Sequence, residues 1–393
     1  MRKIKNVCIG LVGSGYAACL HGNGYEKVAG VPLRFKTVVD LDISKAEQVK
    51  ARYGFEQATT SFDELLADPE IDVVDLVTPP FLHPEMIEKA MAAGKHVICE
   101  KPLTGYFGQS GDPEEIGKNV PKSKMYNEVL KTMDSLRKVV KSSGKRFCYA
   151  ENYVYAPPIQ KAAEIITKRK SKVLFLKGEE SLKGSSSPVA GSWKHTGGGI
   201  LIRAGCHPLT GVLYLKQVEA KARGEAVTVK SVMADTGVTT ACLSRHEHRH
   251  IAASPIDVED FASVTITFSD NTKALVISSD TVLGGTKNYV EVYCNDNALM
   301  CTLTPTDILN TYFLDEEGME DVNISEMLPK ALGWNKAFVS DEVIRGFTGE
   351  LQDFAETIYH DREPVSGFEL ACLTTQVIYA AYLSAEEGRR VDF

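Results

Sequence analysis

The sequence lacks a Cys-x-x-Cys pair, an excess of basic residues, an internal repeat and a long low-complexity linker. Each absence removes a class of protein. The nine cysteines (Cys8, Cys19, Cys99, Cys148, Cys206, Cys242, Cys294, Cys301 and Cys372) are odd in number and scattered. They read as reduced thiols of a cytoplasmic protein, rather than a disulfide framework or a structural zinc site. With 52 acidic against 44 basic residues the formal charge is −8. That balance speaks against a nucleic-acid partner and against a polybasic membrane-surface protein. No apolar run approaches the roughly 18 residues of a membrane span. Basic Arg2, Lys3 and Lys5 precede an apolar stretch ending at Ala17-Ala18-Cys19, which superficially resembles a secretion signal. Gly10, Gly13 and Gly15 inside that stretch suit a strand and a nucleotide loop better.

What is present is an ordinary globular composition, 44% hydrophobic and 24% charged over 393 residues, with room for two or three domains. Up to residue 150, apolar runs alternate with helical patterns. Strands are expected at Val7–Val12, Leu33–Val39, Ile71–Val77, His96–Cys99 and Arg146–Ala150. Between them lie helices at Tyr16–Ala29, Ser44–Tyr53 with Ser44 as N-cap, His83–Ala93 stopped by Gly94, and Met125–Ser143. The last carries Val129, Met133, Leu136 and Val140 on one face. Strands alternating with helices imply a doubly wound, mostly parallel sheet, a Rossmann-like α/β domain over residues 1–150.

The loop after the first strand reads Gly13-Ser14-Gly15-Tyr16-Ala17-Ala18, a G-x-G-x-x-A fingerprint. Glycines there let the backbone turn tightly and approach a pyrophosphate at a helix N-terminus. Asp40 ends the next strand, where a carboxylate accepts from ribose hydroxyls and repels a 2′-phosphate. NAD, rather than NADP, is the expected cofactor.

After residue 150 the character changes. A helix at Ile159–Lys168 follows Pro157-Pro158. Strands are expected at Val173–Lys177, Val227–Met233, Phe261–Phe268, Ala274–Ser279, Tyr289–Cys294 and Ala298–Leu303, with an Asp270-Asn271 turn. The tail is helical: Phe347, Leu351, Phe354 and Ile358 share one face, and a last helix runs from Phe368 to Glu386 before Gly388. This gives a second, α+β domain over residues 151–393 with an open, mainly antiparallel sheet, which the terminal helices are expected to join. Gly105–Lys124 and Lys183–Gly199 read as insertions or loops beside the site.

Two chemistry-bearing motifs fall at the carboxyl ends of Rossmann strands, where such sheets bind ligands: Thr78-Pro79-Pro80 with His83, and Glu100-Lys101-Pro102. A lysine forced into that crevice beside a cationic nicotinamide is expected to have a lowered pKa. A third motif runs from Gly197-Gly198-Gly199 to Gly205-Cys206-His207. By residue type alone, Lys101 reads equally as a surface lysine and His207 as a hydrogen-bonded sheet histidine.

Taken together these residues resemble the Gfo/Idh/MocA family, the glucose–fructose oxidoreductase and inositol dehydrogenase group. The likeness also takes in Ala150-Glu151-Asn152-Tyr153, Trp193-Lys194, Val258-Glu259-Asp260, Phe354-Ala355, Arg362-Glu363-Pro364 and Ala385–Val391. It implies an NAD-dependent oxidoreductase moving hydride between nicotinamide and a ring secondary alcohol of a sugar, glycoside or cyclitol, with oxidation at C3 of a glycoside as one specific version. Lys101 would be the catalytic lysine and His207 the acid/base. Gly13, Ser14, Gly15, Tyr16, Ala17, Asp40, Thr78, Pro79, His83, Glu100, Lys101, Asn152 and Trp193 would contact the cofactor. Lys101, Tyr153, Glu180, Lys183, Arg203 and His207 would face the substrate, with Tyr155 and His195 as weaker cleft candidates. No metal is expected. Many relatives have an aspartate four residues before the histidine; here Arg203 stands there, to bind a substrate anion or cofactor phosphate. Arg203, Lys101 and Lys183 together suggest a locally basic cleft. His246, His248 and His250 alternate, as zinc ligands on a strand would, but Arg245 and Arg249 between them favour a solvated loop. Two other functions fit the same motifs: a glycosidase or lyase that recycles bound NAD, and a non-enzymatic NAD-binding regulator. A homodimer or tetramer pairing through the open sheet is expected.

Overall fold

The computed structural model describes residues 5–304, 309–314, 333–337 and 342–393; Arg2 and Lys3 of the signal-like segment lie outside the described residues. The first half runs β1 (Val7–Val12), α1 (Tyr16–Tyr25), β2 (Leu33–Val39), α2 (Ile43–Tyr53), β3 (Gln57–Thr59), α3 (Phe62–Ala67), β4 (Val73–Leu76), α4 (His83–Ala92), β5 (His96–Glu100), α5 (Ile116–Asn119), α6 (Lys122–Ser143) and β6 (Phe147–Ala150). The strands form one parallel sheet in the order β3-β2-β1-β4-β5-β6. The order reverses between β1 and β4, which opens a crevice at their carboxyl ends. β1, β4 and β6 are buried along their whole length, because helices cover both faces.

The sheet has one strand more than the sequence pattern suggests. β3 is three half-exposed residues, Gln57–Thr59, too short and polar to show a period. α3 after it is set by Ser61, whose hydroxyl accepts from the Glu64 amide at 3.2 Å. The N-cap of α2 is Asp42, which accepts from the Ser44 amide, and not Ser44 itself. α1 stops at Tyr25 rather than Ala29.

The second half runs α7 (Pro157–Arg169), β7 (Val173–Ser181), α8 (Trp193–Thr196), α9 (Cys206–Arg223), β8 (Val229–Gly237), β9 (Phe261–Phe268), β10 (Lys273–Ser279), β11 (Lys287–Cys294), β12 (Ala298–Thr302), β13 (Leu309–Phe313), β14 (Gly333–Ala337), α10 (Phe347–His360), α11 (Phe368–Glu387) and β15 (Val391–Asp392). Seven strands pair in the order β12-β11-β7-β10-β9-β8-β15, with β7–β10 parallel and the other pairs antiparallel. α9 packs on this sheet, and α11 packs on both α9 and α6. α10 lies against α1 and the turn Asn152–Tyr155. Both terminal helices thus reach back to the first half of the chain.

α9 carries the main difference from the sequence reading, which gave no helix there. Its first half, Cys206–Lys216, is buried on every side, so no amphipathic stripe marks it. Pro208 is tolerated because it falls in the first turn. His207 therefore sits at the start of a buried helix and not on a strand.

α9 is seated on β7 through Gly178. A Cβ there would stand 2.9 Å from Pro208 Cβ and 3.3 Å from its carbonyl oxygen. Gly178→Ala is expected to lift the start of α9, lowering stability by about 1–3 kcal/mol; chemical denaturation checks this, and an unchanged midpoint contradicts the seating.

Candidate active site

The fingerprint loop turns at Gly13, which adopts φ +106°; a Cβ there would lie 2.7 Å from the Val77 carbonyl oxygen. The Gly13 amide donates to Val39 O at 2.8 Å. Asp40 closes the loop from β2: its Oδ2 accepts from the Ser14 amide and its Oδ1 from the Asp42 amide, both at 2.9 Å. Gly15 caps α1 without a side-chain bond, and no acidic residue occupies the first turn. A Cβ on Gly15 would meet nothing within 4 Å. Among the described residues the buried Ser14 Oγ has no hydrogen-bond partner. Tyr16 is exposed and Ala17 half-buried beside it. An uncapped helix start, open space at Gly15 and an orphaned hydroxyl fit a dinucleotide diphosphate, with Asp40 placed toward a ribose.

Beyond β4, Thr78 is half-buried and Pro79 exposed. His83, expected to touch the cofactor, has both ring nitrogens committed: Nδ1 lies 2.9 Å from Pro102 O and Nε2 2.9 Å from Thr78 O. Burial holds its pKa below the usual value despite these carbonyls. It ties the Thr78 loop to the Lys101-Pro102 segment instead. Asn152 donates its amide to Arg345 O at 2.8 Å, anchoring the approach to α10. Trp193 is buried against Tyr382 and Lys122, with Nε1 donating to Tyr106 O at 3.1 Å. These three support the site's walls through the bonds they make.

Behind the crevice runs a buried charge network. His21 of α1 places Nδ1 2.9 Å from Asp75 Oδ2 and Nε2 3.3 Å from Glu100 Oε1. Tyr25 donates to the same Asp75 oxygen at 2.7 Å. Burial disfavours the His21 cation, but Asp75 and Glu100 outweigh it and raise its pKa well above the usual value. Burial likewise opposes the Glu100 carboxylate, yet His21, Lys101 and His207 keep its pKa low. Glu100 Oε2 then accepts from the Lys101 amide at 2.9 Å. Glu350 of α10, fully buried, has no hydrogen-bond partner for either oxygen among the described residues. Burial, with the charges of Glu100, Glu151 and Asp75, overcomes the pull of His21 and raises its pKa well above the carboxylate range.

Lys101, at the end of β5, reaches the turn that leads into α9, whose second residue is His207. Lys101 Nζ donates to the main-chain carbonyl of Arg203 at 2.8 Å. Arg203 lies in a π-helical turn, Leu201–Gly205, that leads into α9. The residue five positions on is Pro208, which has no N–H to give that carbonyl. Burial opposes the Lys101 cation, but Cys206, Glu100, Glu151 and Glu180 outweigh it, so its pKa is raised.

His207 Nδ1 lies 2.6 Å from Glu151 Oε1. Its ring stacks on Tyr153 at 5.0 Å between centroids and 20° between planes. Tyr153 is buried, with its hydroxyl donating to Glu180 Oε2 at 2.7 Å. The Arg203 guanidinium pairs with Asp280. Burial raises the Asp280 pKa in spite of that cation. Arg203 and His207 are each met by a carboxylate, so their side chains do not make the cleft basic. Lys183 is half-buried in the loop that joins Ala252 through its carbonyl. His195 is an exposed neighbour of Ser192 Oγ. Tyr155 is bound to Asp353 and the Ser366 amide. His246, His248 and His250 lie in or beside a short 3-10 turn, not on a strand.

Glu151, Cys206 and His207 bring donor atoms within 4.8 Å of one another. Burial pushes the Cys206 thiol far up, and the neighbouring Lys101 ammonium opposes a second cation there. The cluster suits proton handling better than metal binding. Glu151 and Asp280 are the residues that sequence reasoning did not assign. One signal pointed to Glu151: it follows β6 directly, as Lys101 follows β5.

A family model described as "Oxidoreductase family, NAD-binding Rossmann fold" matches residues 7–119, and one described as "GFO/IDH/MocA C-terminal domain" matches 175–300. Levoglucosan dehydrogenase of Pseudarthrobacter phenanthrenivorans is 36% identical over 107 residues, 25% of this chain and 27% of that protein. The chain spans roughly a quarter to a third of the curated relatives it matches. GenD2 from gentamicin A biosynthesis, solved in complex with NAD, superimposes with a TM-score of 0.76 at 21% identity over 100% of this chain and 98% of that one. Myo-inositol 2-dehydrogenase from Lactobacillus plantarum gives 0.71 at 19% identity, covering 99% of each chain. At these identities the likeness is one of fold.

The His21 pair is open to direct test. His21→Gln leaves Asp75 buried without its cation and is expected to cost about 3–5 kcal/mol in urea unfolding. Because the native pKa of His21 is raised, the wild type's margin is full below about pH 6.5 and shrinks as pH climbs through the native value. A margin that grows with pH would contradict the charged pair.

Proposed function

The chain belongs to the Gfo/Idh/MocA oxidoreductase family, whose N-terminal domain is an NAD-binding Rossmann fold, and on that premise we propose that it transfers hydride between NAD and a ring secondary alcohol of a sugar, glycoside or cyclitol. The observation that carries this reading is the anchoring of Lys101 on Arg203 O at 2.8 Å, four residues before a His207 that is paired to Glu151 at 2.6 Å. In this reading residues 1–150 bind NAD and residues 151–393 shape the substrate side.

Bound NAD supplies a hydride acceptor at nicotinamide C4. Gly13, Ser14, Gly15 and Asp40 would hold its diphosphate and ribose. Oxidation of an alcohol releases a hydride from carbon and a proton from oxygen. Lys101 donates a hydrogen bond to that oxygen and stabilises the negative charge that develops on it. His207 takes the hydroxyl proton at Nε2, which has no hydrogen-bond partner among the described residues. The two products are a ketone and a reduced nicotinamide, with the proton held by imidazole.

The balanced charges of the cleft favour an uncharged polyol over a phosphorylated or carboxylated one, since Arg203 already has Asp280 for a partner. No described helix is long and apolar enough to cross a membrane, and the reading places the enzyme in the cytoplasm. Leu174, Met233 and Met300 are exposed apolar side chains on strands of the second sheet, consistent with pairing of subunits as a dimer or tetramer.

A screen of uncharged sugars, glycosides and cyclitols, followed at the nicotinamide absorbance, is expected to show net NADH formation. Product without net NADH would favour the recycling glycosidase or lyase, and tight NAD binding without turnover a regulator. Lys101→Ala is expected to lower kcat by about 10²–10³-fold while NAD affinity is largely kept. Retained activity would remove Lys101 from the chemistry.

A further inference from the structure

Resting on the hydride-transfer reading above, we infer that Glu151 is the positioning residue that fixes the tautomer and orientation of His207, so that Nε2 is the nitrogen presented to the substrate oxygen. Glu151 follows β6 directly and is fully buried; His207 is the second residue of α9 and 7% exposed. The 2.6 Å separation of Oε1 and Nδ1 is that of a charge-assisted hydrogen bond. An ionised carboxylate only accepts, so the proton of this bond sits on Nδ1, and neutral imidazole keeps its lone pair on Nε2. The second Glu151 oxygen faces Thr210 Oγ1 at 3.5 Å, one turn along α9 from Cys206, whose carbonyl takes that hydroxyl at 2.8 Å.

The face of the ring is fixed by the same short segment. Tyr153, two residues after Glu151, stacks on the imidazole at 5.0 Å and is itself tethered to Glu180 at 2.7 Å. The turn after β6 therefore holds His207 at its edge and on its plane at once. Other carboxylates of the cleft have different partners. Glu180 takes the Tyr153 hydroxyl, Asp280 takes the Arg203 guanidinium, and Glu100 takes His21 and the Lys101 amide. One helical turn before His207, Arg203 turns its side chain away to Asp280, so that position supplies no carboxylate to the imidazole. When Nε2 receives the hydroxyl proton, the imidazolium that forms lies against the Glu151 carboxylate, which stabilises it without taking the proton.

The test uses full-length protein carrying ¹⁵N-labelled histidine, with and without NAD. The His207 signals are identified by their loss in His207→Asn. Wild type is expected to show His207 protonated at Nδ1 and bare at Nε2. Glu151→Ala should give a mixture of tautomers, and added formate should restore the wild-type form by refilling the carboxylate's place. In the same variant kcat should fall about 10²-fold with KM changed less than about threefold, and formate should recover part of the loss. Should Glu151→Ala fail to fold, Glu151→Gln keeps the volume and removes the charge; about a tenfold loss of kcat with NAD binding intact is expected. A wild-type proton on Nε2, a tautomer indifferent to Glu151, or a kcat within about threefold of wild type overturns the inference. If the tautomer responds to Glu151 but wild type turns over none of the screened alcohols, the positioning role stands and the dehydrogenase reading falls. If turnover proceeds undiminished in Glu151→Ala, the reverse holds.

Discussion

The bond from Lys101 Nζ to the Arg203 carbonyl is the constraint on which the rest of the site depends. It joins the carboxyl end of β5 in the first sheet to the π-helical turn that leads into α9 on the second. An ammonium that donates one bond to a fixed carbonyl keeps its two other hydrogens for a ligand, with its position set from both sides of the cleft. The carbonyl is available because the helical ladder is disrupted there: Pro208 follows five residues later and carries no N–H. Moving either sheet would change where the lysine points.

Fixing a cation at that spot requires burying charge, and the structure does so in a chain. Asp75, His21 and Glu100 alternate acidic and basic groups behind the crevice, and Glu100 also takes the Lys101 main-chain amide. His21 has a carboxylate on each side, which is the condition for keeping such ions out of water. Glu350 is the exception: neither of its oxygens has a hydrogen-bond partner among the described residues, and burial raises its pKa well above the carboxylate range. The network explains why a polar residue such as His21 occupies the inner side of α1.

Features held by local geometry were legible in the sequence. Gly13 must adopt a positive φ beside the Val77 carbonyl, so the fingerprint marks both the turn and the ligand. Lys101 follows a buried strand directly and announces itself by position. What was not legible was either too short or too distant. β3 has three residues and no period. The first half of α9 is buried all round, so its apolar run carries no helical stripe, and Pro208 argued against a helix at that point. His83 was expected at the cofactor from its place in the Thr78 loop; only the fold shows a carbonyl oxygen 2.9 Å from each of its ring nitrogens. Glu151 and His207 are 56 residues apart. Nothing in a single sequence pairs them, although the turn after β6 occupies the same place in its strand as Lys101 does in β5.

The reading of the cleft as basic failed for a related reason. Sequence shows which cations a site can gather, but their partners come from elsewhere in the chain. Arg203 meets Asp280 just past the end of β10, and Lys101 feels the charges of Glu100 on β5, Glu151 after β6 and Glu180 on β7. A free guanidinium would draw an anionic substrate; one already paired with a buried carboxylate offers a dipole and a wall. For an anion to displace Asp280 it would have to repay the desolvation of a carboxylate that burial already strains toward its protonated form. A neutral polyol avoids that cost, because its hydroxyls can donate to the carboxylates and accept from Lys101 without breaking a pair. The turn at Arg203 thus does two things at once: its carbonyl fixes the lysine, and its side chain, paired with Asp280, closes the wall.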